Sequence, residues 1–307
     1  MSTVITVQQL SKRYGTVQAV NDISFNVERG EIFGIIGPNG AGKTTTIEIL
    51  EGLRKRDGGL VEVLGLDPQK NRTALNEKIG VQYQATSIQK KMKVKEAVDL
   101  FSSFYSRKEN SKDIIEILGL EEKMNHFFGD LSGGWKQRVT LALATLHQPE
   151  IVFLDEPSMG LDPHARRELW SIIQLLRDRG CTIVVTTHYM EEAEKLCDRV
   201  AMIYNGEIKA LNEPRLLLDE MAVNYLSFYS NEIDELQLAA LPGVVKVENE
   251  EFFFKVFTET MQQTAYYLFK HCEEHAISLT DFKFEKGTLD DLFVHFLEKG
   301  KKDERIG

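Results

Sequence analysis

The 307-residue chain has few residues of the kinds that cross-link a protein or hold it in a membrane. Its three cysteines, Cys181, Cys197 and Cys272, lie far apart without paired spacing, which argues against disulfides and thiolate metal sites. No run approaches the roughly 18 to 20 apolar residues that a membrane-spanning helix needs. The opening MSTVITVQQLSKRY also lacks the apolar middle of a signal peptide. We therefore expect a cytoplasmic protein, unless a partner holds it elsewhere, with its cysteines buried as small hydrophobes.

An excess of positive charge is missing too. The formal net charge is −10, and residues 216–307 carry 18 acidic and 9 basic side chains, which leaves a net charge of −1 for residues 1–215. An acidic C-terminal segment argues against nucleic acid as the partner. The 42% of hydrophobic and 27% of charged residues are typical of a globular protein. This length allows one large domain and a smaller one.

The most specific motif is GPNGAGKTT at residues 37–45, between the apolar run IFGII and the segment TIEILEGL. Gly37, Gly42, Lys43 and Thr44 fit the phosphate-loop pattern, with the strand before it and the helix after it that this motif requires. The glycines allow positive φ angles and bring backbone N–H groups close to a polyphosphate, while the helix start adds unpaired donors. Lys43 is placed to reach the β- and γ-phosphates, and Thr44 to ligate Mg²⁺.

Two acidic residues end a second apolar strand, IVFLDEP. Asp155 and Glu156 would emerge at the carboxyl edge of a parallel sheet, where open α/β sheets bind their ligands. Asp155 can hold Mg²⁺ or its water shell, and Glu156 can polarise an attacking water. An isolated acid pair could instead cap a helix. The phosphate loop in the same chain favours the catalytic interpretation.

A further motif, LSGG at residues 131–134, opens an apolar helix and predicts a second anion site. Ser132 would be the N-cap, and Gly133 and Gly134 would leave backbone donors exposed at the helix start. A chain with two such helix starts either uses both on one ligand or shares them across a dimer.

The order of strands and helices through residues 1–215 predicts an α/β domain of the P-loop type with a largely parallel central sheet. Alternating apolar and polar residues before the phosphate loop predict an antiparallel β subdomain, and residues 85–135 are expected to be a helical insert. The helical pattern runs from Gln84 to about Glu122. Its apolar positions are Val94, Ala97, Val98, Phe101, Phe104 and Tyr105. Residues 216–307 are predicted to form a small α+β accessory domain.

Taken in order, these motifs resemble those of the ATP-binding subunit of a bacterial ABC transporter. The matching segments are Walker A GPNGAGKTT, signature LSGGW, Walker B IVFLDEP, D-loop SMGLD and the switch histidine His188, within residues 3–215. The resemblance implies a Mg²⁺-dependent ATPase that binds two ATP molecules head to tail between two copies. It also implies a separate transmembrane permease at the inner face of the cell membrane. A homodimer would suffice, and a heterodimer with a paralogue stays open. The C-terminal segment resembles the extension of subunits that drive export of drugs, antibiotics, lipids or ions, and a dimer-stabilising role without selectivity is the alternative.

The resemblance assigns a role to each matching residue. The phosphate-binding residues would be Gly37, Asn39, Gly40, Ala41, Gly42, Lys43, Thr44 and Thr45. Thr44, Gln84 and Asp155 would serve Mg²⁺, and the catalytic group would be Glu156 as base with His188 and Lys43. Ser132, Gly133 and Gly134 would contact the nucleotide of the other copy. Gln84 would also report the nucleotide state to the insert, whose exposed face would dock the permease. Tyr14 would stack on adenine, although a strand aromatic that packs on a neighbour is the alternative.

One residue departs from the family pattern, and one rival class of function stays open. Trp135 replaces the glutamine that usually follows LSGG, and it could lie against the other copy's nucleotide sugar or fill the interface.

The rival function is that of a soluble mechanical ATPase acting on ribosomes or chromosomes. Those relatives carry two cassettes or long heptad coils, whereas only about 85 residues without heptads separate Thr45 from Leu131. A small GTPase is disfavoured because a guanine-specific motif is missing. The cargo is not encoded in this chain.

Overall fold

The computed structural model describes residues 2–83, 88–105, 111–220, 224–294 and 296. The chain forms two compact units, Met1–Glu213 and Pro214–Gly307. Among the helices within the described ranges, none is both long enough and apolar enough to cross a membrane.

The first unit contains two sheets and the helices around them. Its strands are β1 (Thr3–Tyr14), β2 (Val17–Glu28), β3 (Ile32–Ile36), β4 (Gly58–Val63), β5 (Ile79–Gln82), β6 (Ile151–Asp155), β7 (Thr182–Thr187), β8 (Arg199–Tyr204) and β9 (Glu207–Asn212). Its helices are α1 (Lys43–Leu50), α2 (Arg72–Asn76), α3 (Val94–Ser102), α4 (Ser111–Ile117), α5 (Gly133–Thr145), α6 (Pro163–Asp178) and α7 (Met190–Leu196).

The central sheet has six strands in the order β5-β6-β7-β3-β8-β9, all parallel except β9, which runs antiparallel to β8. Strands β3, β6 and β7 are buried along their whole length, as continuous apolar runs in a sheet covered on both faces should be. Ile36 pairs with Thr187 and Asp155 with Thr186, so the loops after these strands leave the same edge. The predicted parallel core of a P-loop fold is confirmed.

A three-stranded antiparallel sheet in the order β2-β1-β4 stands beside this core and confirms the predicted β subdomain. Its inward residues join those of the central sheet in one hydrophobic cluster, which includes Ile5, Val27, Phe33 and Ile47. The rings of Phe25 on β2 and Phe33 on β3 stack with centroids 5.3 Å apart. The antiparallel sheet is therefore packed onto the strand that leads into the phosphate loop.

The helical insert is less regular than the sequence pattern predicts. The prediction of helix from residue 84 is wrong for residues 88–93, because α3 begins at Val94, and residues 84–87 lie outside the described residues. The helix start is fixed by the backbone N–H of Lys93, which donates to the carboxylate of Glu96 at 2.9 Å. The helix ends at Ser102, where the next serine hydroxyl donates to the carbonyl of Leu100. Val94, Ala97 and Val98 are buried as predicted, whereas Phe104 lies beyond the helix and is 64% exposed.

The second unit contains α8 (Pro214–Glu220), β10 (Asn224–Tyr229), α9 (Glu235–Ala239), β11 (Val244–Glu250), β12 (Phe253–Thr258), α10 (Met261–His275) and β13 (Thr280–Lys286). Its four strands form an antiparallel sheet in the order β11-β12-β10-β13. One hydrophobic cluster joins the sheet residues Leu226, Phe228 and Val256 to Leu268 of α10. This unit is therefore an α+β fold with its own core.

Candidate nucleotide site

The phosphate loop leaves the sheet at the end of β3 and depends on glycine at two positions. Gly37 and Gly42 have φ angles of 152° and 108°, in the region that favours glycine. A Cβ atom on Gly37 would lie 2.2 Å from the carbonyl oxygen of Ile203, and one on Gly42 would lie 2.3 Å from that of Ala19. Helix α1 begins directly after Gly42, so its first backbone N–H groups face the loop. The loop is therefore held tightly against β2 and β8 with its donors concentrated at one helix start.

Lys43 is the first residue of α1, and its side chain is only 4% exposed. Its Nζ donates to the carbonyl oxygens of Gly37 at 2.9 Å and Pro38 at 3.1 Å. The same atom lies 3.4 Å from Oε1 of Glu156. A buried ammonium needs such partners, because an unpaired charge away from water is costly. The lysine charge is thus held at the phosphate loop itself.

Thr44 and Asp155 face each other across the loop. The Thr44 hydroxyl lies 3.5 Å from each carboxylate oxygen of Asp155. Burial raises the pKa of the Asp155 carboxyl, while a hydrogen bond from the Thr186 hydroxyl and the charge of Lys43 act in the opposite direction. A hydroxyl and a carboxylate are the hard oxygen ligands that Mg²⁺ prefers, so these two residues fit the predicted metal site.

Glu156 follows Asp155 in a strained conformation. Its φ angle is 49°, in the left-handed region that costs a non-glycine residue roughly 1 to 2 kcal/mol. Its backbone N–H donates to the carbonyl and to the hydroxyl of Thr186, both at 3.1 Å. These bonds hold the turn that aims the carboxylate at the loop. Strained residues of this kind cluster at functional sites, where the surrounding structure fixes them.

The Glu156 carboxylate lies between two side chains that can carry positive charge. Oε1 faces Lys43, and Oε2 is 3.1 Å from Nδ1 of His188, close but without an aligned hydrogen bond. His188 comes directly after β7, and its ring is partly exposed. The structure therefore brings Lys43, the adjacent Asp155 and Glu156, and His188 from three separate parts of the chain to one edge of the sheet.

The LSGG motif opens α5 as predicted, with Ser132 in the N-cap position. Contrary to the prediction of a capping serine, its side chain makes no capping hydrogen bond, and Ser132 and Gly133 are exposed. A Cβ atom on Gly134 would lie 3.1 Å from Cβ of Ala165, so this glycine lets α5 approach the start of α6. The first backbone N–H groups of α5 thus begin at the surface, beside α6.

The ring of Trp135 lies between two cations of its own chain. Nζ of Lys123 is 5.1 Å from the ring centre, and the guanidinium of Arg138 is 4.7 Å from it. Arg138 is fixed in turn by Glu168 of α6, at 2.9 Å. These contacts orient the ring next to the signature motif, and its role toward a second copy stays a prediction.

The other predicted residues stand as follows. Tyr14 ends β1 and is 39% exposed, with Lys12 and Arg54 at 5.3 and 5.6 Å from its ring centre, and its stacking on adenine stays a prediction. Gln84 lies outside the described residues. The remaining loop residues, Asn39, Gly40, Ala41 and Thr45, follow the loop into α1, with Asn39 and Gly40 exposed, Thr45 partly buried and Ala41 buried.

Sequence reasoning missed two residues that organise the site. Thr186 bonds both acidic residues, and the only signal was a pair of threonines at the end of β7. Glu192 is fully buried in α7, where it accepts hydrogen bonds from the Ser158 hydroxyl and from Nε1 of Trp170. It thereby ties the D-loop to the helix that follows His188. The sequence did not predict this role of Glu192, because an acidic residue in an amphipathic helix is usually exposed.

A phosphate loop after β3, an acid pair at the end of β6 on the same edge of the sheet and a lysine buried between them define a P-loop nucleoside-triphosphate-binding protein. The family model described as "ABC transporter" matches residues 20–159. A second model, described as "AAA domain, putative AbiEii toxin, Type IV TA system", matches residues 128–192, which contain the signature and Walker B segments.

Comparison with known proteins identifies the family within this class. Nod factor export ATP-binding protein I of Rhizobium etli is 36% identical over 252 residues, 80% of this chain and 80% of that protein. The protein of the same name from Ralstonia nicotianae is 30% identical over 306 residues, 98% of this chain and 95% of that one. A solved dimeric bacterial ABC transporter cassette is 27% identical, with a TM-score of 0.59, and covers 68% of this chain and 98% of its own. The chain belongs to the family of ATP-binding subunits of ABC transporters, and it is an ABC transporter ATPase. The rival assignment as a mechanical ATPase gains no support.

Proposed function

We propose that two copies of this chain bind two MgATP molecules head to tail and hydrolyse them to drive export through a separate transmembrane permease. The position of Glu156 is the strongest support for this function. Its carboxylate lies directly after Asp155 and between Lys43 and His188, beside the phosphate loop. This is where an attacking water and the γ-phosphate of ATP would meet.

Binding of the triphosphate would begin at the phosphate loop. Lys43 would exchange its bonds to the carbonyls of Gly37 and Pro38 for charge-assisted bonds to phosphate oxygens, which are stronger. The backbone donors at the start of α1 would bind the remaining oxygens. Thr44 and Asp155 would hold Mg²⁺, with Gln84 as an expected third ligand. The ion would neutralise charge on the β- and γ-phosphates. Tyr14 would stack on the adenine.

Hydrolysis would use Glu156 as the general base. The carboxylate would accept a proton from water as the water oxygen forms a bond to the γ-phosphorus. The bond from that phosphorus to the bridging β–γ oxygen would break, and ADP and phosphate would leave. His188, 3.1 Å from the carboxylate, would orient Glu156 and contact the γ-phosphate. Lys43 would stabilise the negative charge of the transition state.

The second anion site supports a dimer. Within one chain the phosphate loop packs against Ala19 and Ile203, whereas Gly133 and Gly134 pack against Leu161 and Ala165 of another segment. The exposed Ser132 and the α5 donors would therefore complete the nucleotide site of the other copy. Both halves occur in this chain, so a homodimer suffices, and a heterodimer with a paralogue would use the same surfaces. Trp135 would lie at this interface.

Export is supported by the relatives, two of which are named as export proteins. The match to the Ralstonia nicotianae protein extends over 98% of the chain and so includes the second unit. We assign residues 1–215 as the ATP-binding domain and 216–307 as an accessory domain of export-type subunits. The permease would hold the chain at the inner face of the cell membrane.

Replacing Glu156 by Gln tests the base. The variant should bind ATP normally and hydrolyse it at least about 100-fold more slowly, since general-base catalysis contributes roughly 10²- to 10⁴-fold. It should also accumulate as an ATP-bound dimer. Glu150→Gln, directly before β6, is the matched control, because that carboxylate pairs with Arg29 and Lys78 at the surface. Hydrolysis by Glu156→Gln at the wild-type rate would refute the base assignment.

A further inference from the structure

The Tyr14 ring stands at the end of β1, beside the turn that leads into β2. It is 39% exposed, so part of the ring is open to solvent. Two cations approach it, because Nζ of Lys12 is 5.3 Å and the guanidinium carbon of Arg54 is 5.6 Å from the ring centre. The ring is therefore held by contacts of its own chain while part of its surface stays open.

Arg54 is anchored to α1, the helix that begins at the phosphate loop. Its Nε donates a hydrogen bond to the carboxylate of Glu48, and its Nη2 lies 3.4 Å from the other oxygen. Its backbone N–H donates to the carbonyl of the same residue at 3.1 Å. Glu48 is also the main cause of the raised pKa of the Arg54 guanidinium, and the Tyr14 side chain adds to it. The position of Arg54 thus follows that of α1.

The second cation is anchored by Asp57, which lies directly before β4. The Asp57 carboxylate accepts hydrogen bonds from Nζ of Lys12 and from the backbone N–H of Arg13, both at 2.8 Å. Its own backbone N–H donates to the carbonyl of Ser11 at 3.0 Å. The segment between α1 and β4 is therefore bound along the end of β1, next to the Tyr14 ring.

These contacts connect two parts of the first unit that would bind opposite ends of a nucleotide. Tyr14 belongs to the antiparallel sheet, whereas Glu48 lies in the helix that begins with Lys43. Arg54 contacts both side chains, so it relates the position of the aromatic ring to that of the phosphate loop. A ring that is already in place loses less conformational freedom when a ligand stacks on it.

We propose that Arg54 is a positioning residue for ATP, which holds the Tyr14 ring where the adenine base stacks and is itself held by Glu48. The inference rests on the proposed function in taking Tyr14 as the surface for adenine. Arg54 contributes to binding only through this ring, and it therefore favours a triphosphate with an aromatic base over a bare polyphosphate. Binding of the phosphates themselves does not depend on it.

Arg54→Met tests this role, because it removes the charge and keeps a long side chain. Affinities for ATP and for inorganic tripolyphosphate would be measured by calorimetric titration of the full chain with Mg²⁺. We expect ATP to bind about threefold more weakly, a factor typical of a cation–π contact at an exposed site, and the affinity for tripolyphosphate to stay unchanged. In steady-state hydrolysis the KM for ATP should rise by the same factor at unchanged kcat. Arg54→Lys retains a cation and should restore most of the affinity.

A double-mutant cycle with Tyr14 separates the positioning role from a general structural one. Tyr14→Ala should weaken ATP binding at least about fivefold, the lower end of what base–aromatic stacking contributes. In the Tyr14→Ala background, Arg54→Met should have no further effect, because Arg54 acts through the ring. Additive effects, an equal loss of affinity for tripolyphosphate, or normal ATP binding by Arg54→Met would each overturn the proposal.

Arg56→Met is the matched control in the same segment, because the Arg56 guanidinium is paired with Asp67 instead, at 2.8 and 2.9 Å. It should lower the Tm and leave the ATP affinity unchanged. A loss of affinity as large as that of Arg54→Met would overturn the proposal, by assigning the effect to the whole segment. If Tyr14→Ala binds ATP as the wild type does, the adenine contact in the proposed function fails. If Tyr14→Ala binds weakly while Arg54→Met binds normally, only the role of Arg54 fails.

Discussion

The hydroxyl of Thr186 donates a hydrogen bond to the carboxylate of Asp155, its register partner on the neighbouring strand. The same hydroxyl accepts a hydrogen bond from the backbone N–H of Glu156. One small side chain therefore positions the proposed metal ligand and the proposed base together. Because both acids are buried, the loss of this hydroxyl would leave polar groups without partners in a region with little water.

Thr186→Val should lower both stability and turnover. Deleting the hydroxyl should reduce the free energy of unfolding by about 1 to 3 kcal/mol, the cost of leaving a buried polar group unsatisfied. The ATPase rate should fall more than the affinity for ATP, since the loss affects the acids and leaves the phosphate loop intact. Urea denaturation and steady-state hydrolysis measure the two effects. Thr182→Val is the matched control at the far end of β7, where the hydroxyl accepts from the N–H of Gly30. An equal loss of turnover in both variants would contradict the positioning role.

Gly42→Ala should abolish ATP binding. The new Cβ would lie 2.3 Å from the carbonyl oxygen of Ala19, and φ is 108°, so the loop must move away from β2. Calorimetric titration with ATP measures the effect. Gly180→Ala is the control, because Gly180 has φ 93° with nothing within 4 Å of its Cβ position and lies at the end of α6. It should lose about 1 kcal/mol of stability and keep its ATP affinity. Normal binding by Gly42→Ala would show that the loop tolerates displacement.

Glu51→Gln should stabilise the isolated subunit at high pH. A carboxyl whose pKa rises from 4.5 in the unfolded chain to about 8 in the folded chain favours folding only while it is protonated. Its contribution is complete below pH 4.5 and is lost as the pH rises through 8. The variant should therefore gain stability over the wild type as the pH rises, by about 1 to 3 kcal/mol at pH 8. Unfolding in urea at pH 5 and pH 8 measures the difference, and a variant less stable than wild type at pH 8 would contradict the prediction.

Local sequence signals were sufficient to predict the structure wherever a single motif fixes its own conformation. The phosphate loop needs glycines at fixed offsets, and Gly37 and Gly42 meet backbone oxygens that exclude any other residue. The buried strands before Lys43 and Asp155 follow from continuous apolar runs. The parallel sheet then brings the ends of these strands to one edge, which is why Asp155 and Glu156 could be placed from sequence.

The missed features depend on contacts between distant segments. Phe104 continues an apolar helical pattern, yet α3 has already ended at Ser102 through hydrogen bonds that periodicity does not reveal. Thr186 matters because of its register against Asp155, and Glu51 because later segments cover it. Each of these is an ordinary residue in its local sequence, and only the folded arrangement gives it a role.

We propose that ATP joins two copies of the chain because each copy supplies part of the binding shell. Sedimentation equilibrium of the Glu156→Gln variant with Mg²⁺ and ATP, or of the wild type with a non-hydrolysable analogue, tests it most directly. We expect a species of twice the 35.0 kDa chain mass that returns to monomer when the nucleotide is removed. A strictly monomeric protein under both conditions, inert also with its membrane partner, would contradict it.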